Sequence, residues 1–256
     1  MATENYGIDA PTVVRNLAVI GIICVAASLA SALLLAGGFV QPGPVLLILR
    51  NNGLVTGIIC LVMAFWMVAS SLWLKKRVMR ALLDSRAWRG EESVLDIGCG
   101  RGLIAVAAAR RVPDGRVTGI DLWQARDLAG NNPDAIRANG EIAGVSGRLQ
   151  VDTGDARSLP YPEASFDVVA SMTAIHNISN ATGRAAAIAE AWRVTKPGGQ
   201  ILIFDIRHAR NYAAQLRGLG AKVRLTGPIL LWGPVGWRLS AIKPGGGSVE
   251  PDLTTP

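Results

Sequence analysis

Cysteine and histidine are scarce in this chain, and their positions exclude two common kinds of site. The 256 residues contain three cysteines and two histidines. Cys24 and Cys60 lie in apolar stretches and Cys99 lies in a glycine-rich segment, without a Cys-x-x-Cys pair or a Cys/His ligand spacing. The sequence therefore predicts neither a disulfide framework nor a metal site.

Charged residues are missing from two long stretches near the N-terminus. Residues Leu17–Val40 and Leu54–Leu74 contain none, and the mean hydropathy of the chain is +0.32. Each stretch reaches the roughly 20 residues that a helix needs to cross a membrane, and neither has a polar face at helical spacing. The pattern predicts a transmembrane hairpin; a cleaved signal peptide and buried soluble helices are the alternatives.

The distribution of basic residues predicts the orientation of this hairpin. A turn is expected at residues 41–44 (QPGP), because proline and glycine end helices. Lys75, Lys76, Arg77 and Arg80 follow the second stretch, whereas the intervening loop offers only Arg50. The positive-inside rule then places both termini and everything after residue 75 in the cytoplasm.

Residues 75–89 read as a basic amphipathic helix that either lies on anionic headgroups or packs as a connector. The net charge of +7 fits membrane lipid as a partner. The sequence has no cluster of aromatic and basic residues, so nucleic acid is not expected as a partner. Oligomeric state stays open. The predicted division is an N-terminal segment 1–16, a hairpin 17–74, a linker helix 75–89, a catalytic domain 90–242 and a disordered tail 243–256.

After residue 90, short apolar runs alternate with helical patterns. Strands are predicted at Ser93–Ile97, Arg116–Ile120, Arg148–Val151, Phe166–Ala170, Gln200–Phe204, Lys222–Leu225 and Leu231–Leu239. Asn132-Pro133 is expected to start one of the intervening helices. This alternation is typical of a doubly wound, Rossmann-like α/β domain with a mostly parallel, seven-stranded sheet.

The first strand ends in a glycine loop flanked by two carboxylates. Residues 98–102 read GCGRG, Asp96 precedes them, and Asp121 ends the second strand, where a carboxylate can accept both hydroxyls of a ribose. A nicotinamide-dependent oxidoreductase is the alternative, but its G-x-G-x-x-G fingerprint would need glycine in place of Leu103. Asp96 instead suits a ligand that carries an ammonium group.

Five motifs in the right order resemble class I S-adenosylmethionine-dependent methyltransferases. They are VLDIGCGRG (94–102), GIDLW (119–123), GDA (154–156), FDVVASMTAIHNI (166–178) and RVTKPGGQILIFDI (193–206). The resemblance implies S-adenosylmethionine as the cofactor. It assigns cofactor contacts to Asp96, Gly98, Cys99, Gly100, Gly102, Asp121, Leu122, Asp155, Ala156 and Ser171. The Asn-Pro-Pro-aromatic signature of amino-methylating relatives is absent at residues 171–174.

His176 is the candidate catalytic residue, because it falls in the loop after the fourth strand, where the resemblance places the methyl acceptor. It would act as a general base or orient the acceptor. The candidate substrate contacts are Tyr6, Asp9, Trp123, Met172, Asn177 and His208. Tyr6 and Asp9 would belong to a lid formed by residues 5–11.

The expected activity is methyl transfer from S-adenosylmethionine to a small or lipophilic acceptor at the cytoplasmic membrane surface. The alternatives are a membrane-tethered module that binds the cofactor without catalysis and, less favoured by the glycine spacing, the oxidoreductase. The acceptor and the atom that is methylated are not determined by the sequence.

Overall fold

The computed structural model of the protein describes residues 2–124, 128, 130–230 and 235–245. Contacts between Cα atoms divide the chain into two units. The helical unit comprises residues 7–76 and 124–130, and the sheet unit comprises residues 1–6, 77–123 and 131–256.

Two antiparallel helices make up most of the helical unit. Helix α1 spans Pro11–Ala36 and helix α2 spans Pro44–Ala69, and each has proline in its first turn, where the missing amide hydrogen costs nothing. Helix α1 ends at Ala36, four residues before the predicted end of the apolar stretch at Val40. Pro44, which was expected only to end the first helix, is the first residue of α2. The helices approach closely, because a Cβ atom added at Gly57 would lie 2.8 Å from the carbonyl oxygen of Gly21.

Two helical segments are long and apolar enough to cross a membrane, Pro11–Ala36 and Pro44–Leu83. Core helices of soluble proteins and signal sequences can meet the same criteria of length and composition. Large apolar side chains on both helices are nevertheless exposed, among them Ile22 (60%), Leu33 (71%) and Phe65 (69%).

A π-helical turn, Ser70–Leu74, leads from α2 into helix α3, Lys75–Leu83. The predicted apolar side of α3 is buried, and Arg77 and Arg80 are exposed. Two expectations were wrong. The helix ends at Leu83, not at Arg89, and Lys75 is buried within the helical unit, where its Nζ atom lies 3.1 Å from Oδ1 of Asp9.

The sheet unit contains a seven-stranded mixed sheet in the order β3-β2-β1-β4-β5-β7-β6. The first five strands of this order are parallel, and β7 pairs antiparallel with both β5 and β6. The strands are β1 (Ser93–Ile97), β2 (Arg116–Asp121), β3 (Leu149–Thr153), β4 (Phe166–Met172), β5 (Thr195–Asp205), β6 (Lys222–Leu230) and β7 (Val235–Ile242). The predicted fold class is therefore confirmed for this unit.

Helices cover the sheet as the alternating pattern requires. They are α4 (Leu103–Ala109), α5 (Pro133–Ile142), α6 (Ala181–Val194) and α7 (Ala209–Gly218). Asn132 caps α5 as predicted, because its Oδ1 atom accepts the Ala135 amide at 2.9 Å. The core is formed by residues from β1, β2, β4 and β5 packed on α6 and α7, with Leu95, Val169 and Ile201 almost fully buried.

Two predictions fall partly on residues outside those that the structure describes. The predicted last strand began at Leu231, and residues 231–234 are not described; β7 is described from Val235. Of the predicted tail, only residues 243–245 are described. There the Nζ atom of Lys243 donates to the carbonyl oxygens of Trp192 and Thr195 at 2.9 and 2.8 Å.

Candidate active site

The strand order places the carboxyl ends of β1, β2, β4 and β5 along one edge of the sheet. The order reverses at β1, which lies between β2 and β4. Open α/β sheets bind their ligands outside the carboxyl ends of the strands at such a reversal. The loops after these four strands carry most of the predicted site residues.

The glycine loop after β1 packs directly against the loop after β4. Gly98, Gly100 and Gly102 all have positive φ angles, of 71°, 51° and 84°. A Cβ atom at Gly98 would lie 2.2 Å from Cβ of Ala174, so only glycine allows this approach. The predicted cofactor loop and the predicted acceptor loop are therefore in contact.

Asp121 fastens the glycine loop to the end of β2. One carboxylate oxygen accepts the Gly100 amide at 2.9 Å, and the other accepts the Trp123 amide at 2.6 Å and Nδ2 of Asn131 at 3.3 Å. A carboxylate has about four acceptor positions, so a ribose with two hydroxyls needs one existing donor to leave. The longest and weakest of the three bonds is the one from Asn131.

Asp96 lies beneath the same loop and is 1% exposed. Its Oδ2 atom accepts the Ala105 amide at 2.9 Å. Burial is the main reason why the pKa of this carboxyl is raised to about 8; the Ala105 hydrogen bond lowers the pKa, and the charge of Asp121 raises it by a smaller amount. Without a cationic partner, Asp96 is therefore largely protonated at neutral pH.

Asp155 follows β3 and is held by its own loop. Its carboxylate pairs with the side chain of Arg157, with an Nη2–Oδ2 distance of 2.5 Å, and accepts the Arg157 amide at 2.9 Å. The hydrogen bond from Arg157 lowers the pKa of Asp155. Its neighbour Ala156 packs against the core, and Leu122 is half exposed. An adenine amino group would have to compete with Arg157 for Asp155.

Cys99 and Ser171 are buried. Burial raises the pKa of the Cys99 thiol, with the charges of Asp96 and Asp121 adding to the shift, so the thiol stays neutral. The Ser171 hydroxyl donates to the carbonyl oxygen of Ile97 at 2.9 Å and thereby ties β4 to β1. Both side chains support the loop from below.

His176 lies in a short 3₁₀ turn, Ile175–Asn177, and pairs with Asp205 at the end of β5. Its Nδ1 atom lies 2.5 Å from Oδ1 of Asp205, and its amide donates to Oδ2 of Asp205 at 3.1 Å. The side chain of Asp205 is 1% exposed and that of His176 is 14% exposed. Tyr212 on α7 adjoins this pair; burial and then the Asp205 charge raise its pKa.

Three residues near the carboxyl edge adopt a left-handed backbone that side chains disfavour. Trp123 (φ 59°), Thr173 (φ 52°) and His208 (φ 61°) follow β2, β4 and β5 respectively. Strain of this kind persists where the surrounding structure enforces it, and it is common at ligand sites. Of the predicted acceptor contacts in this region, Met172 is half-buried, whereas Asn177 and His208 are exposed.

The two predicted lid residues belong to different units of the chain. Tyr6 is a buried part of the sheet unit, and its hydroxyl donates to Glu4 at 3.1 Å. Asp9 belongs to the helical unit, where it pairs with Lys75 and its amide donates to the Ser71 hydroxyl at 3.1 Å.

Three polar residues of this region were missed by sequence reasoning: Asp205, Asn131 and Asn139. Asp205 follows the predicted strand Gln200–Phe204 directly, but the sequence did not show which strand would lie beside it. Asn139 is buried on α5; it accepts the Asn5 amide at 2.9 Å and donates to the carbonyl oxygens of Asn5 and Arg101. No sequence pattern relates Asn139 to a residue 134 positions earlier.

These side chains fit S-adenosylmethionine. The glycine loop lies at the switch point, Asp96 offers a buried carboxyl for an ammonium group, and Asp121 offers acceptors for a ribose. Within the residues that the structure describes, no group of three or more His, Cys, Asp or Glu side chains could hold a metal ion.

Comparison with known proteins agrees with this geometry. Residues 95–203 match the family model described as a methyltransferase domain. The ubiquinone/menaquinone biosynthesis C-methyltransferase UbiE of Dinoroseobacter shibae is 33% identical over 135 residues, which are 53% of this chain and 50% of that protein. The 27-O-demethylrifamycin SV methyltransferase of Amycolatopsis mediterranei is 36% identical over 117 residues, 46% of this chain and 39% of that protein.

The chain thus spans half or less of the length of these two curated relatives. Among solved structures, the cyclase SpnF has the same fold, with a TM-score of 0.55 and 22% identity over 67% of this chain and 81% of that chain. A protein named as a cyclase shares the fold, so the fold alone does not determine the reaction. Residues 95–203, somewhat less than half of the chain, are thus similar to a methyltransferase domain, and this similarity implies S-adenosylmethionine as the cofactor.

Proposed function

We propose that this chain transfers a methyl group from S-adenosylmethionine to a small or lipophilic acceptor at the cytoplasmic surface of a membrane. One observation carries the proposal: the glycine loop fastened by Asp121 packs against the β4 loop that bears His176. The first loop holds the predicted cofactor residues and the second the predicted catalytic residue. Donor and acceptor would therefore meet where the loops touch.

The cofactor roles follow from the charges of three carboxylates. Asp96 would ionise opposite the ammonium group, Asp121 would accept the ribose hydroxyls in place of Asn131, and Asp155 would receive the adenine amino group in place of Arg157. When bound, S-adenosylmethionine supplies an electrophilic methyl group. The protein's own contribution is to hold the acceptor in line with that group and to remove a proton from it.

His176 would remove that proton. Nδ1 of His176 lies 2.5 Å from Oδ1 of Asp205, without a hydrogen bond of good geometry in this structure. In the catalytic complex, the Asp205 carboxylate would favour a hydrogen on Nδ1, so that Nε2 would accept the proton. A thiolate acceptor needs no such base, whereas a hydroxyl or an acidic carbon does. The pairing of His176 with Asp205 therefore favours an oxygen or carbon acceptor.

The relatives support a lipophilic acceptor, but their names specify different methylated atoms. UbiE is named as a C-methyltransferase of quinone biosynthesis, and the second relative is named for a demethylated oxygen. We assign this chain an acceptor of the phenol or quinol class, which presents both a hydroxyl and an activated ring carbon. Trp123, Met172, Asn177 and His208 would border it.

The exposed apolar side chains of α1 and α2 support a membrane-spanning hairpin. Such surfaces on both helices would be unfavourable in water and suit lipid. Lys76, Arg77 and Arg80 follow the second helix, and the positive-inside rule then places residues 90–242 in the cytoplasm. Residues 1–16, 17–74 and 75–89 would form the N-terminal segment, the hairpin and the linker.

The start of the chain would cover the cofactor loop. Asn5 is bound through both its amide and its carbonyl to Asn139, and the Arg101 side chain in the glycine loop also donates to its carbonyl oxygen at 2.8 Å. Residues 2–6 are thus fastened to the loop that would hold the cofactor, and Tyr6 would act as part of a lid.

Calorimetric titration of the purified full chain in detergent tests the cofactor. We expect S-adenosylmethionine and S-adenosylhomocysteine to bind, NADH not to bind, and Asp121→Ala to weaken binding at least tenfold because it removes both ribose acceptors and the loop anchor. Binding of NADH alone would contradict the proposal in favour of an oxidoreductase.

Turnover tests the reaction itself. Phenol, quinol and thiol acceptors are incubated with the protein and radiolabelled S-adenosylmethionine, and release of S-adenosylhomocysteine is measured. We expect release with phenols or quinols. Cofactor binding without release on any acceptor would instead support a binding module without catalysis.

A further inference from the structure

A polar cavity of about 250 Å³ lies within the sheet unit between the end of α3 and the β6–β7 hairpin. It is a different place from the active site, since none of its lining residues belongs to the predicted cofactor or acceptor set. The side chains that matter are Asp84, Ser85, Arg224, Thr226, Arg238 and Ser240.

The hairpin presents four of these side chains on one face of the sheet. Arg224 pairs across the strands with Ser240, and Thr226 pairs with Arg238. Residues directly opposite each other in an antiparallel ladder share a face, and so do residues two apart along a strand. Two guanidinium groups and two hydroxyls therefore converge below the end of α3.

Ser85 already donates to the carbonyl oxygen of Leu82 at 2.6 Å, but other donors of the lining have no partner among the residues that the structure describes. Arg238 donates through Nη1 to the carbonyl oxygen of Ala81 at 2.8 Å, which leaves its other donors. Ser240 accepts from Gln200 at 2.7 Å, so its own proton is available. Among the described residues, nothing forms a hydrogen bond or ion pair with the Arg224 side chain. The cavity offers donors and few acceptors.

The charge of the lining is also positive. Its only carboxylate among the described lining residues, Asp84, lies 2.5 Å from Nη2 of Arg111 and is neutralised by it. A simpler role for Arg224 is to prevent edge-to-edge pairing of sheets, because it is a charged residue on the edge strand β6. That role alone does not explain why Arg238, Thr226 and Ser240 face the same cavity as Arg224.

We infer that this cavity binds the phosphate group of an anionic phospholipid. Guanidinium groups and hydroxyls are the donors that suit phosphate oxygens, and a cavity of about 250 Å³ has room for a phosphate group. Lipid is the favoured source because Ala81 follows the apolar stretch by roughly two helical turns along the chain. This choice of source rests on the proposed membrane attachment.

The test uses the full chain in a neutral detergent. Dihexanoyl phosphatidylglycerol, dihexanoyl phosphatidylcholine and inorganic phosphate are titrated separately, and binding is read from the thermal unfolding midpoint and by native mass spectrometry. We expect phosphatidylglycerol to bind at least tenfold more tightly than phosphatidylcholine. Arg224→Glu should abolish that preference, because it keeps a charge on the edge strand but repels phosphate.

Arg116→Glu is the matched control, because it reverses an exposed arginine at the start of β2, away from the cavity. Equal losses in both variants, or no loss in Arg224→Glu, would overturn the inference. Arg224-dependent binding of inorganic phosphate without binding of the lipid would overturn the lipid source. S-adenosylmethionine binding is measured on the same samples, so a failure of the methyltransferase proposal can be distinguished from a failure of lipid binding. If Arg224→Glu does not fold, Arg224→Gln takes its place.

Discussion

Nδ1 of His176 lies 2.5 Å from Oδ1 of Asp205, although 29 residues separate the two along the chain. They meet because β4 and β5 are parallel neighbours whose carboxyl ends coincide. We expect a buried carboxylate beside Nδ1 to orient the imidazole ring, so that its other nitrogen would face the acceptor. Asp205 is thus a positioning residue for a proposed catalytic histidine.

Asp205→Asn should lower kcat by roughly 10²-fold, the lower end of what a positioned general base contributes. The KM for S-adenosylmethionine should stay the same, since Asp205 does not belong to the proposed cofactor set. Steady-state kinetics on a phenol or quinol acceptor measure both constants. Asp205→Glu should restore part of kcat, and a variant that loses cofactor affinity as much as kcat would show a structural role instead.

The sequence was sufficient to predict those features that depend on neighbouring residues. The run Ser93–Ile97 and the Asn132 cap match the structure, because apolar patterning and capping are local. The pairing of His176 with Asp205 depends on which strands become neighbours. Lys75 shows the same limit: a helical wheel places it with the exposed arginines, whereas a contact with Asp9, distant in sequence, buries it.

The buried carboxyl of Asp96 makes cofactor binding dependent on pH. With a pKa of about 8 in the folded protein, Asp96 must lose a proton to pair with an ammonium group. The affinity for S-adenosylmethionine should therefore rise by up to about tenfold per pH unit between pH 6 and 8. Titration calorimetry in buffers of different ionisation enthalpy should detect the released proton. Asp96→Asn should bind weakly and without this pH dependence; equal slopes in both proteins would contradict the assignment.

Asp96 should also affect the stability of the cofactor-free protein. Its pKa in the folded protein lies above the ordinary value of 3.8, so between these two values the folded state holds a proton that the unfolded state has released. Its contribution to stability is complete below about pH 4 and is lost as the pH rises towards 8. Urea unfolding at several pH values should show a steeper decline in the wild type than in Asp96→Asn. A decline of the same steepness in both would assign the effect to other groups.

Substitution of Asn139 should loosen the attachment of residues 2–6 to the glycine loop. Asn139→Ala removes three hydrogen bonds and leaves the Asn5 backbone without this partner. The free energy of unfolding should fall by about 1–3 kcal/mol, and amide exchange at residues 2–6 should accelerate. If residues 2–6 act as part of a lid, deleting them should lower turnover. Unchanged turnover in the deletion variant would rule out the lid while leaving the stability effect intact.

The ion pair between Lys75 and Asp9 lies within the helical unit. The Lys75 side chain is 6% exposed, that of Asp9 is 25% exposed, and Nζ of Lys75 also donates to the carbonyl oxygen of Gly7 at 3.0 Å. Asp9→Asn removes the carboxylate from a buried ion pair, a change that typically costs about 3–5 kcal/mol. We expect a clear fall in the thermal unfolding midpoint of the full chain in detergent.

A second substitution separates charge from packing. Lys75→Met in the Asp9→Asn background removes the buried ammonium as well and keeps an apolar side chain of similar length, so it should recover most of the lost midpoint. Asp134→Asn, which breaks the exposed pair with Arg137 on α5, should change the midpoint little. If Lys75→Met deepens the loss, the backbone contact to Gly7 matters more than the ion pair, and Lys75 holds the segment through its hydrogen bond and not through its charge.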